Sequence, residues 1–303
     1  MSTSINEAEI QAISNHPNYK LLSRVPEYYK QKEHSDTSVF IATIIDLETM
    51  GMDAKIDEII ELGLLSFSFS NQSGILSVID TYNELNEPGR PIPEEITKIT
   101  GITNDDVKGR AIDWELIAKL LEKTHLIICH NTRFDRNFLE LQTPEFIKTI
   151  IEKKAFGCTI GDIDWILRGY ESSKLEYLNF KLGYFYDGHR ALTDCWATFN
   201  LLIREEGAFN ELKEGARKKQ TLICAENAPF EKKDLLKERK YRWSSGDSAM
   251  PKCWWKTIDN ESLSEERHWL DANIYGREGV SNKLKTLSIN ARVRYSYRAE
   301  QIL

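Results

Sequence analysis

Val39-Phe40-Ile41-Ala42-Thr43-Ile44-Ile45-Asp46-Leu47-Glu48 is the stretch on which the fold turns. The run Val39–Ile45 is too short for a helix core and too uniformly apolar for a one-sided strand. It predicts a strand buried on both faces, ending at Asp46. Residues two apart on a strand share a face, so Asp46 and Glu48, directly after the run, can project together from one end of a buried sheet. Outward from there, Ile59 to Phe69 reads as a strand, half-buried over Ser66-Phe67-Ser68-Phe69. Asn71 to Gly74 reads as a turn and Ile75 to Tyr82 as the returning strand of an antiparallel hairpin. The preceding residues 1–36 are polar with scattered apolar positions and read as a short helical lead-in.

Further along, Asn86 to Pro93 holds three prolines and excludes a regular element. Helical spacing appears at Trp114, Ile117, Ala118 and Leu121, again at Phe134, Phe138 and Leu141, and at Leu192, Trp196, Phe199 and Ile203. Leu126 to Cys129 is a short buried strand. Strands followed by strands interleaved with helices predict an α/β fold, a mixed sheet flanked by helices.

The 303 residues suggest about two domains. Composition divides near residue 210. Residues 1–210 hold 21 Lys+Arg against 33 Asp+Glu, net −12, and residues 211–303 hold 19 against 14, net +5. The whole-chain charge of −7 by itself argues against nucleic acid, but it averages these unlike halves. The expected division is a lead-in over 1–36, a main domain over 37–210, a linker from Leu212 to Gln220, and a basic, aromatic α+β module over 221–303. No run of about 18 apolar residues exists, the first residues lack a signal-peptide core, and the five cysteines form no CxxC pair. A reduced cytoplasmic setting is expected.

Two further acids stand apart. Asp135 sits at the helix start after the Leu126–Cys129 strand, and Asp194 lies on the last helix, five residues after His189. Four carboxylates at one site repel and raise one another's pKa. Hard divalent cations relieve this, and Mg²⁺ favours oxygen ligands. A nearby histidine suits proton transfer from an attacking water.

Three motifs occur in order: Asp46-Leu47-Glu48-Thr49-Met50-Gly51 with Asp57 to Gly63 behind it, His130 to Leu139, and His189-Arg190-Ala191-Leu192-Thr193-Asp194. Ile96 to Thr103 lies between the first two. The sequence resembles the DnaQ-like 3′–5′ exonucleases of the DEDDh type over about residues 38–205. The resemblance implies a ribonuclease H-like fold and a two-metal site on Asp46, Glu48, Asp135 and Asp194, with His189 as general base. It implies two Mg²⁺, with Mn²⁺ as a substitute, and places Thr49, Met50, His130, Asn131 and Phe134 near the terminal nucleotide. Met50 departs from the usual Thr or Ser. Glu61 follows the family pattern and is expected to be structural.

The expected activity is release of nucleoside monophosphates from DNA 3′ ends, single-stranded ones first. An exoribonuclease of the ribonuclease T or oligoribonuclease kind is the first alternative, and a non-catalytic nucleic-acid-binding factor the second. No membrane association is expected, and no protein partner is implied. In the tail, Asp234 to Trp243 and Cys253-Trp254-Trp255-Lys256 resemble a small module found after some bacterial exonuclease domains. Trp243, Trp254 and Trp255 are expected to be mostly core, with Arg239, Lys240, Arg242 and Lys256 reserved for phosphates. Ser262 to Glu265 has capping-box spacing ahead of a helix, and Val293 to Tyr297 reads as an edge strand.

Overall fold

A computed structural model describes residues 6–246 and 250–300. The chain begins with α1 (Glu7–Ser14) and the two-residue β1 (Ser23–Arg24), then forms the long strands β2 (Phe40–Thr49), β3 (Ile59–Ser70) and β4 (Gly74–Leu85). Short helices α2 (Glu94–Thr100) and α3 (Asn104–Val107) lead to α4 (Trp114–Lys123), β5 (Leu126–Cys129), α5 (Thr132–Gln142), α6 (Glu145–Ile151) and β6 (Ala155–Cys158). Then come α7 (Leu175–Lys181), β7 (Tyr184–Phe185), α8 (Ala191–Arg204) and α9 (Ala208–Arg217). The tail holds β8 (Gln220–Ala225), α10 (Lys233–Glu238), β9 (Arg242–Ser244), β10 (Cys253–Asp259), α11 (Leu263–Leu270) and β11 (Thr286–Ile289).

The main sheet has the order β4-β3-β2-β5-β6. Its β2–β3 and β3–β4 pairs are antiparallel, and its β2–β5 and β5–β6 pairs are parallel. It is the mixed sheet flanked by helices that the sequence predicts. One face carries Leu65, Phe67 and Phe69 against Trp196 and Phe199 of α8 and Phe209 of α9. The other carries Leu62 and Leu64 against Ile117 and Leu121 of α4 and Phe138 of α5.

This double cover corrects the half-buried reading of β3, which is buried along its whole length. Its serines keep hydrogen-bond partners: Ser66 Oγ lies 2.9 Å from Thr43 Oγ1 and Ser68 Oγ 2.8 Å from Ser77 Oγ. Buried hydroxyls need such partners, and a strand supplies them at fixed register. The hairpin turn forms as expected, with Gly74 at φ 70° in the left-handed region that glycine adopts without strain.

Other expectations are corrected. The lead-in is helical only over α1, and β1 pairs in parallel with β7. Strand β2 continues to Thr49, so Asp46 and Glu48 lie inside it, opposite Gly63 and Glu61 of β3, with an irregularity at Glu48/Thr49. The supposed linker is mostly α9, which buries Leu212 and Ala216 in the first core. Only Lys218 and Lys219 separate it from β8. Ser262 makes no side-chain cap, because a 3₁₀ turn over Asn260–Ser262 already carries the chain into α11.

The tail forms an antiparallel sheet in the order β11-β8-β10-β9. Ile223, Leu236, Tyr241, Ile258 and Leu270 pack on its one face, and Leu222, Cys224, Cys253 and Ile289 on the other. Trp254 and Trp255 pack against these cores, as expected, while Trp243 is 50% exposed.

Beyond β11 the chain returns to the main sheet. Residues 293–297 are turns rather than an edge strand, closed by Arg294 N–H to Asn290 O and Ser296 N–H to Val293 O. The reason is a buried polar clasp on α5. The fully buried Arg136 donates to the carbonyls of Arg292 and Arg294 and, through Nε at 2.8 Å, to Glu140. Glu140 also accepts from Ser296 Oγ and Arg298. Arg294 in turn ion-pairs with Asp162 and donates to Gly215 O.

Candidate active site

Asp46, Glu48 and Asp194 offer carboxylate oxygens that all lie within 4.8 Å of one another. Period-two geometry puts Asp46 and Glu48 on one face of β2, and α8 brings Asp194 across from its first turn. Asp135 joins from the first turn of α5, where its Oδ1 accepts the Leu47 backbone N–H at 3.2 Å. Thus the structure brings all four acids together, three in one cluster and Asp135 tied to the strand between two of them.

Their electrostatics follow from burial. Desolvation, then repulsion from Asp194 and Asp135, holds Asp46 well above the usual carboxylate range. Burial, with Asp194 and Glu61 adding to it, pushes Glu48 up to about 8. Burial likewise pushes Asp135 up to about 8, against the hydrogen bond from Leu47. Asp194 rises only to about 6, because the His189 N–H opposes its burial. A buried acid group of this kind is an oxygen donor set lacking its counter-charge, and a divalent cation fits it.

The segment before α8 is held from below. The wholly buried Glu61 of β3 accepts from Arg190 Nη2 at 2.8 Å and from the Ala191 backbone N–H at 3.0 Å, so it caps α8 in place of an N-cap side chain. That is the structural role expected of it. His189 sits in the left-handed region, φ 64°, exposed, with its backbone N–H on Asp194 Oδ2 at 2.9 Å. Gly63, two residues on from Glu61, lies under the start of α8, where a Cβ would stand 2.3 Å from the Ala191 carbonyl carbon. Gly63→Ala is therefore expected to lower the melting temperature by roughly 5 °C or more and to reduce activity, because α8 must move off the sheet and take Asp194 with it.

The residues expected near the nucleotide fare unequally. Met50 is 2% exposed and packs with Ile60, Ile92, Ile102 and Val107, so its side chain is core rather than a substrate contact. Its apolar chain fills the space under the Ile96–Thr103 segment. The Thr49 hydroxyl is spent on Gly51 O at 2.6 Å. His130 turns its Nδ1 to Thr159 Oγ1 at 2.6 Å, and burial pushes its pKa down to about 4, which leaves it neutral at physiological pH. Asn131 is exposed at the start of α5, and Phe134 is half-buried on Phe138.

One participant escapes the motifs. The Tyr186 ring and Asp194 Oδ1 both lie within 4 Å of where a Cβ on Gly188 would stand, and burial plus the Asp194 and Asp46 charges raise the Tyr186 pKa, keeping its hydroxyl protonated. It lies outside any motif, and no sequence signal marks it. Tyr186→Phe is expected to weaken divalent-cation affinity about tenfold, read by metal titration of activity, since partners that orient ligands contribute at that level.

Residues 43–202, just over half of the chain, match the family model of the RNase T exonucleases. The chain belongs to that exonuclease family. With the three motifs, it carries a DnaQ-like 3′–5′ exonuclease domain, and the family implies divalent metal ions. Among relatives of this exonuclease, the PolC-type DNA polymerase III of Thermotoga maritima is 28% identical over 220 residues, covering 68% of this chain and 15% of the relative. The DNA polymerase III subunit epsilon of Aquifex aeolicus is 26% identical over 182 residues, covering 59% of this chain and 86% of the relative. The exonuclease thus spans only a small part of the PolC-type proteins it matches. Escherichia coli exonuclease I in complex with a dT13 oligonucleotide superimposes with a TM-score of 0.49 at 15% identity, covering 73% of this chain and 63% of that one.

Proposed function

We propose that this chain is a metal-dependent 3′–5′ exonuclease that releases nucleoside monophosphates from DNA 3′ ends. The observation that carries the reading is the group of Asp46, Glu48 and Asp194 within 4.8 Å of one another, inside the matched exonuclease segment. Residues 37–210 form the proposed catalytic part and 221–303 the accessory part. Asp46, Glu48, Asp135 and Asp194 are the proposed ligands of two Mg²⁺, with Mn²⁺ as a substitute. When bound, such ions supply Lewis-acid stabilisation of the charge developing on the phosphodiester and lower the pKa of the attacking water.

The chain's own residues have distinct tasks. His189 accepts the proton of the attacking water, and its N–H to Asp194 keeps base and carboxylate in one unit. Glu61, through Arg190 and Ala191, keeps that unit in place. Asn131 and Phe134 border the site at the start of α5 and are the remaining candidates for contacting the terminal nucleotide. His189→Ala is expected to cut kcat by about 10²–10⁴-fold with little change in melting temperature, the range typical of a lost general base. An unaltered kcat would remove His189 from the mechanism.

The curated relatives named above are DNA polymerase III proteins, which supports DNA over RNA. The deciding measurement is hydrolysis of matched labelled DNA and RNA oligonucleotides, single- and double-stranded, with Mg²⁺ and with Mn²⁺. Single-stranded DNA is expected to be degraded fastest, with label leaving as mononucleotide from the 3′ end. Faster loss of RNA would replace the substrate in this proposal.

A further inference from the structure

A groove of about 820 Å³ opens between the two sheets. Its one wall is the start of α5, at Arg133, and the segment Ile160–Ile166 that follows β6. Strands β5 and β6 run parallel to β2, so these segments leave the same end of the sheet as Asp46 and Glu48. Its other wall is the tail sheet, at Lys240, Arg242 and Trp255. The groove therefore opens at the same end of the sheet as the carboxylates, none of which lines it, and runs to the basic part of the chain.

Its charges are unequally committed. Asp162 is paired with Arg294, Glu211 with Arg168 and Asp259 with Lys218 and Gln220. Of the four cations reserved for phosphate, Arg239 and Lys256 are both spent on the buried Glu266. Lys240 and Arg242 have no ion pair among the described residues, and both are exposed. Arg242 holds its guanidinium 5.5 Å from the centre of the Trp255 ring, so a cation and an aromatic ring lie side by side on the groove wall. Exposed cations alternating with aromatic surface are the pattern that holds single strands, with phosphates on the cations and bases on the rings.

From these observations we infer that the groove carries the single-stranded stretch of the substrate upstream of the 3′ end, with Lys240 and Arg242 on its phosphates. The inference rests on the exonuclease reading and adds a consequence: long strands are preferred over short ones.

The test uses the full chain with the double substitution Lys240→Asn and Arg242→Gln. Asn tolerates the left-handed backbone of Lys240, φ 67°. The ratio of kcat/KM on a dT 20-mer to kcat/KM on the dinucleotide pTpT is expected to fall about tenfold, and the salt slope of 20-mer binding to shrink by about 1.4, for two lost phosphate contacts on a single strand. A change in overall activity through misfolding alters both substrates and leaves the ratio in place. An unchanged ratio and slope overturn the inference. If the wild-type chain hydrolyses nothing in Mg²⁺ or Mn²⁺, the exonuclease reading fails by itself. Anisotropy of a labelled dT 20-mer in EDTA then still decides the groove: a tenfold weaker Kd in the variant sustains it, and an equal Kd ends it.

Discussion

Asp46→Asn is expected to abolish hydrolysis, by on the order of 10³-fold or more, and to make the metal-free protein more stable. The two effects have one cause. Asp46 is strongly disfavoured in its charged form, by burial and by the neighbouring acids Asp194, Asp135, Glu48 and Glu61. The folded state binds its protons more tightly than the unfolded chain does. Stability without metal therefore falls as pH rises from about 4, where the unfolded carboxylates titrate, through about 8, where Glu48 and Asp135 titrate in the folded state. An amide in place of Asp46 needs no proton to be neutral, so the folded state no longer loses stability as the unfolded carboxylate ionises.

The expected gain at pH 8 is a higher melting temperature without metal, because the variant no longer carries an acid that the folded state disfavours in its charged form. Differential scanning fluorimetry in EDTA across pH 5–9 reads it directly. Wild type should lose melting temperature with rising pH and regain it on adding Mg²⁺, by mass action on the folded state. Asp46→Asn should show a flatter profile and little gain from Mg²⁺. Retained hydrolysis in this variant, or full activity of wild type in excess chelator, would exclude the metal site.

The second large effect lies away from the carboxylates. Arg136→Met, or a chain ending at Ile289, is expected to destabilise the protein by about 3–5 kcal/mol, the usual cost of leaving one partner of a buried ion pair alone. Arg136 is 0% exposed and serves Glu140 and the carbonyls of Arg292 and Arg294. Without it, the buried Arg294 carbonyl loses its donor, and Glu140 and the Arg292 carbonyl keep only Ser296 and Arg298. Without residues 290–303, Arg136 itself loses the carbonyls it serves. At about 2–4 °C per kcal/mol for a large domain, the melting temperature should drop by roughly 10 °C.

Activity should fall with it, because Asp135 is the neighbouring residue on the same helix. The exposed pair Lys98–Glu94 is the control: Lys98→Ala should change almost nothing. The clasp also alters what removing the tail means. A separate basic module reserved for phosphates would be removable after about residue 210 with loss of strand binding alone. The buried clasp predicts instead that it damages the helix presenting Asp135.

What could be read from the chain alone was local. The apolar run before Asp46 and the turn at Asn71–Gly74 are short-range patterns, and the strands and hairpin they predict are present. The three motifs carry their acids at fixed offsets from strand ends and helix starts, so Asp46, Glu48, Asp135 and Asp194 were legible as a set. Charge counted by halves pointed to the basic tail.

What depended on packing was not legible. The Met50 side chain carries no label for core or substrate, and only the contacts with Ile60 and Ile92 decide it. Arg239, Lys240, Arg242 and Lys256 look alike in sequence. Glu266, ten residues or more away, spends two of them and leaves two free of ion pairs among the described residues. Tyr186 reaches Asp194 only because the turn before α8 brings it back. The clasp joins Arg136 to residues more than 150 positions on, and a buried ion pair of that span leaves no periodicity to read. Sequence periodicity sets which face of an element is apolar and which acids share a sheet end; the partner each polar group finds is decided by burial, and burial exists only in the folded chain.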